Sequence, residues 1–140
     1  MTSEWAKKLV AQKKEKLAQE NTIREKELSD RKLLTASALR MWDELRQAIN
    51  QSIRELNEAM GEPWINVLPA STDTAVDLKM GPREFYFLFS LETWRFTAGV
   101  FTYQLVVIPG KEIVWKQEQS GSNFTSEQVA KNEIARIFAS

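Results

Sequence analysis

Residues 75–117 read AVDLKMGPREFYFLFSLETWRFTAGVFTYQLVVIPGKEIVWKQ, and large hydrophobic side chains recur there at every second position. Val76, Leu78 and Met80 alternate with Asp77 and Lys79, and Phe85, Phe87, Phe89 and Leu91 with shorter or polar neighbours. Phe101, Tyr103, Leu105 and Val107 form a third set, Ile113 and Trp115 a fourth. A period of two puts alternate side chains on one face of a β-strand. Gly81-Pro82 and Pro109-Gly110 mark turns between the sets. The connections are too short for helical crossovers, so the strands are expected to run antiparallel. With a short leading strand at Trp64 to Leu68, the expectation is a meander of four or five strands within 64–119.

Upstream the period changes. Glu4 to Met60 contains no Pro and no Gly, is rich in Ala, Leu, Glu, Lys, Gln and Arg, and stops at Gly61-Glu62-Pro63. Leu34, Ala38, Met41, Trp42, Leu45, Ile49, Ile53, Leu56 and Met60 recur at helical spacing in a stripe too wide for a two-stranded coil, which predicts packing against a sheet. Carried backwards, that stripe meets Arg31, Glu27, Arg24 and Glu20. The first half is therefore expected to rest on helix propensity and acid-first pairs: Glu4/Lys8, Glu20/Arg24 and Glu27/Arg31. Thr22-x-x-Glu25 has capping-box spacing, and Ser29-Asp30 is a second place for a break, so one helix and two helices broken near 21–30 both fit. Downstream, Ser120 to Asn123 reads as a loop. Thr125-x-x-Gln128 caps a last helix with Ala130, Ile134, Ile137 and Phe138 on one face. The expected fold class is α+β: a charged arm over 1–32, then one domain over 33–140 with helix 33–60, sheet 64–119 and helix 125–138.

Composition narrows the chemistry. The 140 residues include neither Cys nor His, which removes thiolate catalysis, disulfides, Cys- or His-ligated metals and the commonest neutral-pH base. Oxygen ligands remain, but no D-x-[DN]-x-[DN]-G run builds a calcium loop, and no cofactor or metal is expected. Nineteen bases balance nineteen acids, so the chain lacks the positive field that non-specific nucleic-acid binding draws on. Arg83 to Leu88 resembles the RNA-recognition signature only in its alternating aromatics. Glu84 and Tyr86 fill that signature's small positions and Ser90 stands where an aromatic is required, so the Phe row reads as core. No segment approaches the ~18 consecutive apolar residues of a membrane span, and no signal-peptide pattern opens the chain. A cytoplasmic address is the expectation. Lys7, Lys8, Lys13, Lys14 and Lys16 flank a thin apolar face, which fits a solvated or partner-bound helix better than one lying on a membrane.

Length carries the functional reading. A helix reaching Met60 from the start of the chain would run roughly 85–90 Å, whereas strands of about eight residues span about 27 Å, so only the last turns can lie on the sheet. The leading expectation is a non-enzymatic interaction or oligomerisation module, with Trp5, Leu9, Leu17, Ile23 and Leu28 on the contact arm and a protein, including a second copy of the chain, as partner. Tyr86, Leu88, Val106, Ile108 and Val114 fall opposite the Phe row and imply a cover on that face, with the C-terminal helix as first candidate. The alternative function is small-ligand binding between the sheet and its covering helix, at Trp94, Arg95, Tyr103 and Trp115. Asp73 with Asp77, and Glu84 with Glu92, read as edge charges rather than an acid–base pair.

Overall fold

The structure, a computed structural model, describes residues 3–70 and 72–140, so Met1 and Thr2 of the expected arm, and Ser71 within the expected sheet, lie outside it. Helix α1 runs without interruption from Glu4 to Met60. Ser3 caps its start by accepting from the Ala6 amide, and Gly61 ends it in the left-handed region at φ 74°, its N–H donating to the carbonyls of Asn57 and Glu58. Neither proposed break is used. The Thr22 hydroxyl donates back to the Ala18 carbonyl at 2.9 Å, a mid-helix arrangement.

Seven strands follow: β1 (Ile65–Leu68), β2 (Ala75–Met80), β3 (Arg83–Ser90), β4 (Arg95–Ala98), β5 (Phe101–Ile108), β6 (Glu112–Gln117) and β7 (Asn123–Phe124). They form one antiparallel meander in sequence order, more strands than the expected four or five. The two additions, β4 and β7, are short segments. Arg95–Ala98 is too brief to establish a period, and Asn123–Phe124 sits in what reads as loop until it pairs with Trp115 and Lys116. Helix α2 (Ser126–Ala139) closes the chain with the expected capping box between Thr125 and Gln128.

The register fixes which side chains share a face. Val76 pairs Phe87, Phe89 pairs Phe96, Phe96 pairs Tyr103 and Leu105 pairs Trp115, so the Phe row and its partners form one continuous apolar surface. Both helices pack on that surface. From α1, Leu34, Met41, Trp42, Leu45, Ile49 and Ile53 are buried; from α2, Val129, Ala130, Ile134 and Ile137. The helices also lie against each other. This corrects the expectation that α2 covers the other face: with helices of about ten Å diameter side by side on a twisted sheet, both apolar stripes are satisfied from one side. On the opposite face Tyr86 and Leu88 are exposed and Val106 and Ile108 half-buried, while Val114, paired across from Val106, is buried.

Candidate functional site

Two features outside the core have chemical or interaction potential: the arm and a notch in the sheet. Along the arm every residue from Glu4 to Ser29 is exposed except Ala6, and Trp5 has 73% of its surface open to solvent. Leu9, Val10, Leu17, Ile23 and Leu28 are exposed as well. The acid-first pairs do not close as the sequence suggests. Among the described residues the ion pairs of α1 are Arg40 with Glu44 and Arg46 with Asp43, both beyond the arm. Side-chain entropy and hydration leave little drive to hold such exposed pairs in contact.

Of the four residues expected to line a ligand pocket, Tyr103 and Trp115 meet around Phe96 in the core, while Trp94 and Arg95 lie apart from them. Tyr103 and Trp115 are fully buried, each against the ring of Phe96, with centroids 5.9 Å and 6.1 Å away. The Trp115 indole N–H donates to the Ser126 hydroxyl at 2.9 Å, which fixes the start of α2 over β6. Trp94 is half-buried in the β3–β4 turn at φ 56°, and its carbonyl accepts from the Leu105 amide. Arg95 is exposed on the other face, where its Nε donates to Gln104 at 3.1 Å and to Glu118 at 3.0 Å.

The cavity that does lie between sheet and helix is elsewhere. β3 pairs with β2 over Arg83 to Leu88 but with β4 only over Phe87 to Ser90, because β4 ends at Ala98 and the chain turns at Gly99-Val100. Arg83 to Tyr86 therefore extend past the hairpin and leave a notch. Its cavity, about 520 Å³, has Phe85, Phe87, Ala98, Phe101 and Ile137 as apolar walls. Phe89 donates its amide to Thr74 on the β2 side, so by the alternation of an antiparallel ladder Glu84 turns its backbone N–H and C=O toward the notch.

Polar groups on the α2 side of the notch are held by a buried chain. Glu133 is 2% exposed although it lies among Val129, Ala130, Ile134 and Ile137. It accepts from the Tyr103 hydroxyl at 3.2 Å and forms an ion pair with Arg136, and Gln117 donates to the Tyr103 oxygen at 3.3 Å. A buried carboxylate must be paired to be tolerated, and these partners supply that. Burial, and then the charge of Glu133, push the Tyr103 hydroxyl up to about 12. The Arg136 guanidinium sits over the Phe101 ring, 3.5 Å from its centroid, at the wall of the notch. On the β3 side the Arg83 guanidinium sits 5.4 Å from the Phe85 centroid and donates to the Ser140 hydroxyl at 2.9 Å. On the other face of the sheet Tyr86 donates its hydroxyl to Glu84, which raises the Tyr86 pKa.

One signal for this arrangement was present in the sequence: Glu133 is an acid inside the apolar stripe of α2, with Arg136 one turn on. The notch itself had no signal, because it depends on where β4 stops. Among the described residues no group of three or more acids could hold a metal ion, and no helix is long and apolar enough to cross a membrane. Comparison with protein-family models, with curated proteins and with solved structures gave no match.

Proposed function

We propose that this chain is a non-enzymatic interaction module in which the helical arm is the contact element and a second copy of the chain the partner. One observation carries the reading: α1 continues for about eight turns beyond its buried stripe, with large apolar residues open to water along that length. Isolated helical segments gain little stability in water without an apolar face to bury, so an arm of this kind is best accounted for by a contact.

Charge along the arm favours the arm of another copy, antiparallel. Residues 7–16 hold five Lys and one Glu, a net of 5 − 1 = +4, and residues 20–30 hold four acids and two bases, a net of 2 − 4 = −2. Laying two arms antiparallel over their full length sets the basic tip of each on the acidic base of the other and brings Leu9 opposite Leu28. Such complementarity steers association and fixes orientation. Sedimentation of the full chain beside a chain starting at Leu33 tests the reading. The full chain is expected to associate, more weakly as salt is raised, and the shortened chain to remain a monomer. Two monomers under all conditions would end the proposal.

A further inference from the structure

We infer that the notch beside β4 is a binding site for a small organic monocarboxylate with an apolar tail. This goes beyond the arm-mediated contact and does not depend on it. The cavity of about 520 Å³ falls in the size range of small-molecule sites, and its walls of Phe85, Phe87, Ala98, Phe101 and Ile137 suit a hydrocarbon or aryl group.

The charge of the ligand follows from which cation is already neutralised. Arg136 is committed to Glu133, and Glu133 is held in turn by Tyr103, so this pair presents a fixed, nearly neutral wall. Glu84 keeps its charge but, alternating with Arg83 and Phe85 along β3, projects with Tyr86 to the other face of the sheet, where the Tyr86 hydroxyl donates to it. Arg83 differs from both. Among the described residues it has no carboxylate within ion-pair distance, and its one side-chain hydrogen bond goes to the Ser140 hydroxyl. A guanidinium has five N–H donors in a planar fork that matches a carboxylate. A single guanidinium without an ion-pair partner on this side is matched by a single carboxylate group. The backbone N–H of Glu84, beyond the end of the β3–β4 ladder, supplies a further donor at the same edge.

Titration calorimetry of the full chain with octanoate, octan-1-ol and octylammonium tests this. Octanoate is expected to bind once per chain and tighter than the other two, and to shift the Glu84 amide signal in a two-dimensional nitrogen–proton spectrum. Arg83→Gln is expected to weaken octanoate about tenfold, with Arg83→Lys between the two. Arg83 is exposed, so neither change disturbs the core. Val100→Trp, at a turn residue with 80% of its surface open, should obstruct the mouth and weaken octanoate without touching any charge. Octanoate binding no tighter than octanol, retention of full affinity in Arg83→Gln, or amide shifts confined to other residues would each overturn the site. Because the chain starting at Leu33 retains the whole notch, it should bind octanoate equally well, which keeps this outcome separate from that of the arm.

Discussion

The indole of Trp42 lies flat on the ring of Phe89, centroids 5.5 Å apart and planes 6° from parallel, while its Nε1 donates to the Asp73 carbonyl at 2.8 Å. One side chain thus ties α1 to the middle of the sheet by stacking and to the β1–β2 connection by a hydrogen bond. Trp42→Phe keeps a ring but leaves the Asp73 carbonyl without this donor, and should cost about 1–3 kcal/mol. Trp42→Ala should cost about 3–5 kcal/mol. Urea unfolding followed by circular dichroism reads both, and a loss below 1 kcal/mol in Trp42→Ala would contradict this anchoring role.

Tyr103 predicts an alkaline limit to stability. Its folded pKa of about 12 lies above the ordinary value of 10.0. Between those values the unfolded chain has lost the phenolic proton and the folded chain keeps it, so stability falls as pH rises, by about 1.4 kcal/mol per pH unit at most. Below pH 10 this group contributes no slope. Tyr103→Phe should flatten the dependence between pH 10 and 12 relative to the parent, while costing about 1–3 kcal/mol at neutral pH because Glu133 and Gln117 lose their shared partner. Parallel alkaline profiles for the two proteins would show that Tyr103 does not set it.

Amide hydrogen exchange should divide α1 although the helix is continuous. Amides before about Leu33 have no burial behind them and should exchange by local fraying, whereas those from Met41 to Ile53 should approach the protection of global unfolding. Leu17→Ala should correspondingly change domain stability by no more than about 0.5 kcal/mol. Uniform protection along α1 in the monomer would count against an uncovered arm.

Thr125→Ala removes an acceptor for the Gln128 amide and one half of the capping box, and should cost about 1 kcal/mol. Thr125→Ser should restore most of it. Equal thermal midpoints for all three proteins would show that α2 is held by packing alone.

The sequence made the order helix, meander, helix legible because each element has a strong period: two in the Phe row, about 3.6 from Leu34 onward. Gly61 and the Thr125 box marked ends for similarly local reasons. What failed was long-range. Whether α2 lies over the Phe row or behind it cannot be read from an apolar stripe, since Ala130, Ile134 and Ile137 would suit either side. Trp94, Arg95, Tyr103 and Trp115 look like a pocket in a linear reading, yet the pleat sends Arg95 to one face and buries Tyr103 and Trp115 in the other. Arg83 and Arg136 stand 53 positions apart and come to line one cavity only through the early end of β4.

A further property follows from α1 being one unbroken helix. Its C-terminal turns are clamped in the core, so the base of the arm is not a swivel, and Trp5 is carried about 45 Å from Leu34 along a fixed line. A flexible tether would only raise the local concentration of what it joins. A rod built into its own domain also sets angle and spacing, so whatever grips the tip is held at a defined orientation to the sheet.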